Sequence, residues 1–261
     1  MTINFTNRLA QMMAAMALLT LGSSALALST WNLDSGCPSS GSGTALTSSN
    51  CGAGLDLTGW STSNGTASTS GTTFAAAAVY DWGSYGLGVV NAYEIATNVG
   101  PHATDNVFGT DAILLTFSSA VNLTNVKVGW TGTTNTGTDS DFSVLAYTGS
   151  GTGAVGGTTL TGTASTSTLL TSGWQVVGNY GNTTDNANVA ISSQLYSNYW
   201  LVSAYNNAFG TGTALNAGND YFKLLSVAGN TQNVPEPGSL VLLGVGLIGV
   251  VASRRQKTKQ A

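Results

Sequence analysis

Two uncharged apolar runs, residues 9–21 and 240–252, bracket this chain of 261 residues. Neither suits the surface of a domain in water, so the folded part has to be built from the segment between them. The first run follows Arg8, the only charge in the first 33 residues, and precedes Ala25-Leu26-Ala27, a small-x-small pattern of the kind cut on export. That order predicts a signal peptide over residues 1–27, with an uncleaved N-terminal anchor as the alternative. The second run follows Val234-Pro235-Glu236-Pro237 and precedes a basic tail carrying Arg254, Arg255, Lys257 and Lys259. Prolines fix φ and remove backbone donors, so Pro235 and Pro237 leave an extended tether. The four cations act as a stop, because Lys and Arg beside a membrane span stay on the cytoplasmic side. A 13-residue helix reaches only about 20 Å at ~1.5 Å per residue, short of the roughly 30 Å hydrocarbon core. Gly244, Gly246 and Gly249 weaken it further. The tail suits a transient membrane signal, with a permanent single-pass anchor as the alternative.

Motif, span and basic cluster in this order resemble the PEP-CTERM sorting signal of bacterial proteins handled by exosortases, with Val234-Pro235-Glu236-Pro237 as the signature. The resemblance implies that residues 234–261 are recognised by a membrane-embedded, cysteine-dependent exosortase and removed near the motif. It also implies a transient inner-membrane precursor and then a place at the cell surface or in the extracellular matrix of a Gram-negative bacterium. Shorter phrases extend the likeness to a subgroup of exosortase-dependent surface proteins: Thr30-Trp31-Asn32-Leu33 and residues 87–94, 111–117, 141–147 and 219–229. For that subgroup the implication is placement in the exopolysaccharide matrix, with no catalytic residues to carry over.

Residues 28–233 are then the exported domain, long enough for one substantial core. The chain is 7% charged, so its surface has to be covered by Ser, Thr, Asn and Gly. The exported segment holds ten acids against Lys127 and Lys223, which argues against nucleic acid as a partner, since that needs clustered cations. Cys37 and Cys51 are the only cysteines and, in an exported chain, are expected to form one disulfide.

Short runs rich in Val, Ile, Phe, Tyr and Trp recur over 74–80, 87–93, 112–117, 121–130, 142–147, 174–180, 188–191, 199–205 and 221–227. Phe142, Val144 and Ala146 share one face of such a run, as do Trp200, Val202 and Ala204. These predict an all-β fold, an antiparallel β-sandwich or jelly roll. The Thr/Ser/Gly/Asn-rich segments 61–73, 131–140 and 148–168 read as long surface loops, with too few apolar groups to offset the entropy of ordering them.

Catalysis has little to rest on. His102 is the only histidine and reads as a solvent-exposed loop residue, and neither GxSxG nor HExxH occurs. No enzyme is expected, although a carboxylate pair of a glycoside hydrolase needs no motif. Asp139 and Asp141, on a loop leading into a strand, offer calcium its preferred oxygen donors, with Asn219-Asp220 and Asp105-Asn106 as further donors. Ordinary Asx turns explain the same residues. No other cofactor is indicated. Trp82 and Tyr85, in the turn-like Asp81-Trp-Gly-Ser-Tyr85, are the candidate sugar-stacking aromatics. The expected function is a structural or interaction role in the exopolysaccharide or biofilm matrix. The alternatives are a lectin-like module, with or without calcium, for envelope glycans, and behind it a glycoside hydrolase.

Overall fold

Alternation decides which side chains meet in the core. Phe142, Val144 and Ala146 point to one side of their strand and join Trp200, Val202 and Ala204 in one buried cluster. The computed structural model describes residues 27–63, 70–97, 102–132 and 139–232, within the unit Ala27–Gln232. The expected signal peptide up to residue 26 and the 234–261 segment lie outside the described residues.

Among the described residues twelve strands form the fold: β1 (Ala27–Asn32), β2 (Thr44–Ala45), β3 (Leu55–Ser63), β4 (Ser70–Asp81), β5 (Leu87–Val90), β6 (Thr104–Asp105), β7 (Asp111–Thr131), β8 (Phe142–Tyr147), β9 (Trp174–Tyr180), β10 (Asn188–Ala190), β11 (Ser197–Ala204) and β12 (Tyr221–Thr231). Among the described residues three short α-helices accompany them, α1 (Leu33–Gly36), α2 (Ala92–Thr97) and α3 (Thr168–Thr171). Ladders between the named strands are all antiparallel.

The long strand β7 builds the sandwich by serving both of its layers. Its first part pairs with β3 and β11, giving a layer ordered β4-β3-β7-β11-β8-β9. Past the exposed Ser118 and Ser119 it pairs with β12 and β10, and β1 closes that second layer at the far side of β12. β5 ties the layers together, pairing with β4 and, through Leu87, with Leu224 of β12. Ile113, Leu115, Val126, Val128, Leu224 and Val227 fill the space between. This is the antiparallel sandwich that the alternation predicts.

Cys37 and Cys51 are joined by a disulfide and are buried against the same core. It closes the loop between α1 and β3, where the side chain of Trp31 packs 4.7 Å from Phe117.

The long-loop expectation needs correction. Residues 61–63 and 70–73 belong to β3 and β4, whose backbone groups are satisfied by sheet pairing whatever their side chains. Ser140 is buried and Thr131 ends β7, while 64–69 and 133–138 lie outside the described residues. Residues 148–168 pack over the outer face of the first layer. Val155, Leu160 and Leu169 meet Phe74, Leu114, Leu145 and Leu201 there in a second apolar cluster. A few well-placed apolar groups suffice because hydroxyls supply the rest of the order. Ser167 Oγ donates to the Thr159 carbonyl at 2.7 Å, and the Thr159 N–H donates to Thr168 Oγ1 at 2.7 Å.

The expected strand 87–93 also divides. It ends at Val90, and α2 begins at Ala92 because Asn91 caps it. Asn91 Oδ1 accepts the N–H groups of Tyr93 and Glu94, and Glu94 Oε2 accepts the Asn91 N–H at 3.0 Å, a reciprocal capping box.

Candidate functional site

Of the two aromatics singled out for sugar stacking, Tyr85 is 57% exposed, on the 3-10 turn Gly83–Tyr85. Trp82 is half-buried. His102 stacks on its ring at 6.0 Å between centroids, and the Lys223 ammonium lies 5.0 Å from its centroid. Its indole N–H is buried without a hydrogen-bond partner. His102 therefore departs from the exposed-loop expectation: its side chain is 22% exposed and Nδ1 lies 3.8 Å from Glu94 Oε1. Burial, with the positive charge of Lys223 nearby, holds its pKa below the ordinary value.

A different tryptophan lines a groove. Trp60 projects from β3 beside Thr58, to whose Oγ1 its indole N–H donates at 3.1 Å. With Leu46, Ser48, Ala76 and Ala78 they bound an open groove of about 380 Å³. The run of small residues on β4 keeps that surface shallow. An indole beside several hydroxyls offers a sugar ring both a stacking surface and hydrogen-bonding partners. Trp60 stands just before the 61–73 segment that reads as a loop, and only the pairing of β3 with β4 and β7 brings it beside these hydroxyls.

The acidic residues expected to attract calcium do meet. Asp139, Asp141 and Asp220 each offer a carboxylate oxygen within 4.8 Å of the other two. The Asn106 side chain joins them, its Nδ2 donating to Asp220 Oδ2 and its Oδ1 accepting the Asp220 N–H. Protein donors already occupy most of these oxygens. Asp141 accepts the Asn182 N–H at 2.7 Å and the Asn216 N–H at 2.8 Å; Asp220 Oδ1 accepts the Asp141 N–H at 2.8 Å; Asp139 Oδ2 accepts Asn216 Nδ2 at 2.8 Å. Only Asp139 Oδ1 is buried without a partner. The cluster thus fastens the loops around residues 106, 140, 182, 216 and 220 to one another. Burial pushes the Asp220 carboxyl up to about 9, and its acidic neighbours push the same way. Burial also raises Asp141, against the N–H groups of Asn182 and Asn216.

Sequence reasoning named Asp105 but not Glu94 or Asp111, which the fold brings beside it. The Asn91-x-x-Glu94 capping pattern was the available signal for Glu94. Nothing local marks Asp111, since its approach depends on how β6 and β7 pack.

The sheet also sets where the domain's ends lie. Ala27 pairs with Thr231, so the two termini of the described unit leave it side by side. Immediately beyond, residues 233–256 match the family model described as the PEP-CTERM protein-sorting motif. The chain carries a PEP-CTERM sorting signal. The match takes in Val234-Pro235-Glu236-Pro237, the apolar run, Arg254 and Arg255, and stops before Lys257 and Lys259. A PEP-CTERM signal marks an exported protein that is held transiently at the membrane and processed by an exosortase. Among the described residues no helix is long and apolar enough to cross a membrane. No curated protein matches the chain.

Proposed function

We propose that this PEP-CTERM protein works in the cell-surface or exopolysaccharide matrix of a Gram-negative bacterium, in a structural or interaction role and without catalysis. The observation that carries the reading is the sorting signal at 233–256, placed directly after a disulfide-linked β-sandwich. In this reading a signal peptide over 1–27 starts export, and the domain 28–233, with the chain up to about Pro237, is what remains outside after the exosortase acts. A surface with so few ions suits a hydrated polysaccharide, because polyol hydroxyls exchange hydrogen bonds with Ser, Thr and Asn.

The groove at Trp60 favours a second reading that is compatible with the first, direct recognition of an envelope glycan. Trp60 is the stacking residue there, and Tyr85 is an exposed aromatic on a separate turn. Calcium at Asp139 and Asp141 would find only Asp139 Oδ1 unoccupied and would have to share the other oxygens, which already accept N–H groups. The test is binding of the mature protein, recovered from the cell exterior, to glycan arrays and to exopolysaccharide from the same cells, with and without calcium. Binding that Trp60→Ala reduces about tenfold supports the lectin reading. No binding under either condition leaves the structural role alone.

A further inference from the structure

Three acids lie where water does not reach. Glu94 on α2, Asp105 on β6 and Asp111 at the start of β7 are each 0% exposed, and one carboxylate oxygen of each lies within 4.8 Å of the other two. Three oxygens so spaced lie within about 2.8 Å of a common point, a little outside the calcium–oxygen distances of about 2.3–2.6 Å, so a small inward shift of the side chains lets all three carboxylates reach a single ion.

The hydrogen bonding sets this cluster apart from the one at Asp139, Asp141 and Asp220, where protein donors occupy five of the six oxygens. Here the capping box holds Glu94 Oε2, and the Val107 N–H holds Asp105 Oδ1 at 3.0 Å. Glu94 Oε1, Asp105 Oδ2 and both oxygens of Asp111 are buried with no hydrogen-bond partner. The Ser61 side chain and the Asp105 backbone beside Asp111, and the His102 backbone beside Glu94, lower those pKa values in part, without closing a hydrogen bond to any of the four oxygens. A buried carboxylate left without partners costs several kcal/mol, so four such oxygens on three adjacent acids call for a ligand that satisfies them together.

Charge points to the same ligand. Lys223 is buried with them and attracts Asp105 and Glu94, while its ammonium also sits 3.8 Å from the centroid of the Trp130 ring. Once ionised, three carboxylates against that one ammonium leave two negative charges, which a divalent cation matches. His102 adds no compensating charge at neutral pH, since its pKa is lowered. Donors that are all oxygen suit a hard cation.

We propose that Glu94, Asp105 and Asp111 form a buried site for one divalent cation, calcium, which ties α2, β6 and the start of β7 together. Desolvation raises all three carboxyls, as expected for three buried acids that share a single ammonium and are relieved when a cation binds. The backbone around the site is fitted closely: a Cβ at Gly88 would run into the His102 carbonyl, so β5 can approach the 102–105 segment only as glycine. The ion holds elements together and takes no part in the sugar groove, so the site stands whatever the groove binds.

The full-length chain, purified in detergent, tests this with calcium as the probe. Metal analysis after dialysis should find about one calcium per chain, and melting in calcium should exceed melting in chelator by about 5 °C or more. Asp111→Asn and Glu94→Gln should lose both the ion and the calcium-dependent shift, while Asp139→Asn keeps them. If either variant fails to fold, the wild-type metal content and melting shift still decide. A wild-type chain that holds no calcium and melts alike in calcium and chelator overturns the proposal, as does calcium lost from Asp139→Asn but kept by Asp111→Asn.

Discussion

Ala27 stands opposite Thr231 in the antiparallel ladder between β1 and β12. The strand that follows the expected export cleavage and the strand that leads into the sorting signal are therefore neighbours. Cleavage after Ala27 leaves Leu28 to Asn32 in place to cover that edge of β12.

The first prediction concerns that edge. Trp31 is 6% exposed and its indole N–H donates to the Ala53 carbonyl at 3.1 Å, which ties β1 to the turn before β3. Trp31→Ala should lower stability by about 3 kcal/mol, read as a lower urea midpoint at unchanged slope.

The disulfide supplies the second. Cys37 and Cys51 close a short loop, 14 residues apart in the chain. Non-reducing mass spectrometry of the exported protein should find one peptide linking them, with two hydrogens missing. Cys37→Ser should lose about 3 kcal/mol in the same urea titration. Two free thiols in protein recovered from outside the cell would contradict the pairing.

The third is a pH dependence. Burial raises Glu94 from its ordinary 4.5 to about 7 and Asp220 from 3.8 to about 9. A carboxyl whose folded pKa exceeds its unfolded one takes up a proton on folding. Its contribution is full below the unfolded pKa and is lost as pH rises through the folded one. In chelator, the urea midpoint should therefore fall between about pH 5 and pH 8. Lys223, lowered from 10.5 to about 8, acts in the opposite sense only above that range, where folded chains release its proton first. Calcium should flatten the part of the fall due to Glu94, because the ion holds the carboxylate ionised. A midpoint that rises over this range in chelator would contradict the assignment.

Legibility in the sequence followed from how local each signal is. The alternations at 142–146 and 200–204 are set by neighbouring residues, and the sandwich could be read from them. β3 was hidden because Thr58, Gly59, Ser61 and Ser63 look like loop; the strand exists because β4 and β7 pair with it on both sides. β1 was missed for a similar reason, since its order comes from β12, about 200 residues away in the chain. Two parts of the acidic array, Asp139-Ser-Asp141 and Asn219-Asp220, could be named as oxygen donors, but which acids meet depended on the parallel bridge between Asp139 and Asp220. Asp111, buried and far from those motifs in the chain, carried no local signal at all. Trp82 looked exposed from its turn, whereas His102 and Lys223 cover it through contacts made across the fold.

The fourth prediction separates the parts of the sorting signal. Pro235→Ala with Pro237→Ala leaves the apolar run and basic tail intact but removes the extended motif, so uncut precursor should accumulate in the membrane. Arg254→Ser with Arg255→Ser should instead weaken the stop and the orientation preference, letting some chains pass through uncut. Fractionation followed by immunoblotting distinguishes the two patterns.

The most direct test of the central claim is intact-mass analysis of the protein in surface and membrane fractions, from cells with and without the exosortase. The account predicts a surface form that ends near Pro237 when the exosortase is present, and a membrane-bound precursor that keeps residues 238–261 when it is absent. A wild-type protein that keeps residues 238–261 in both kinds of cell would contradict it, and the tail would then be a simple anchor.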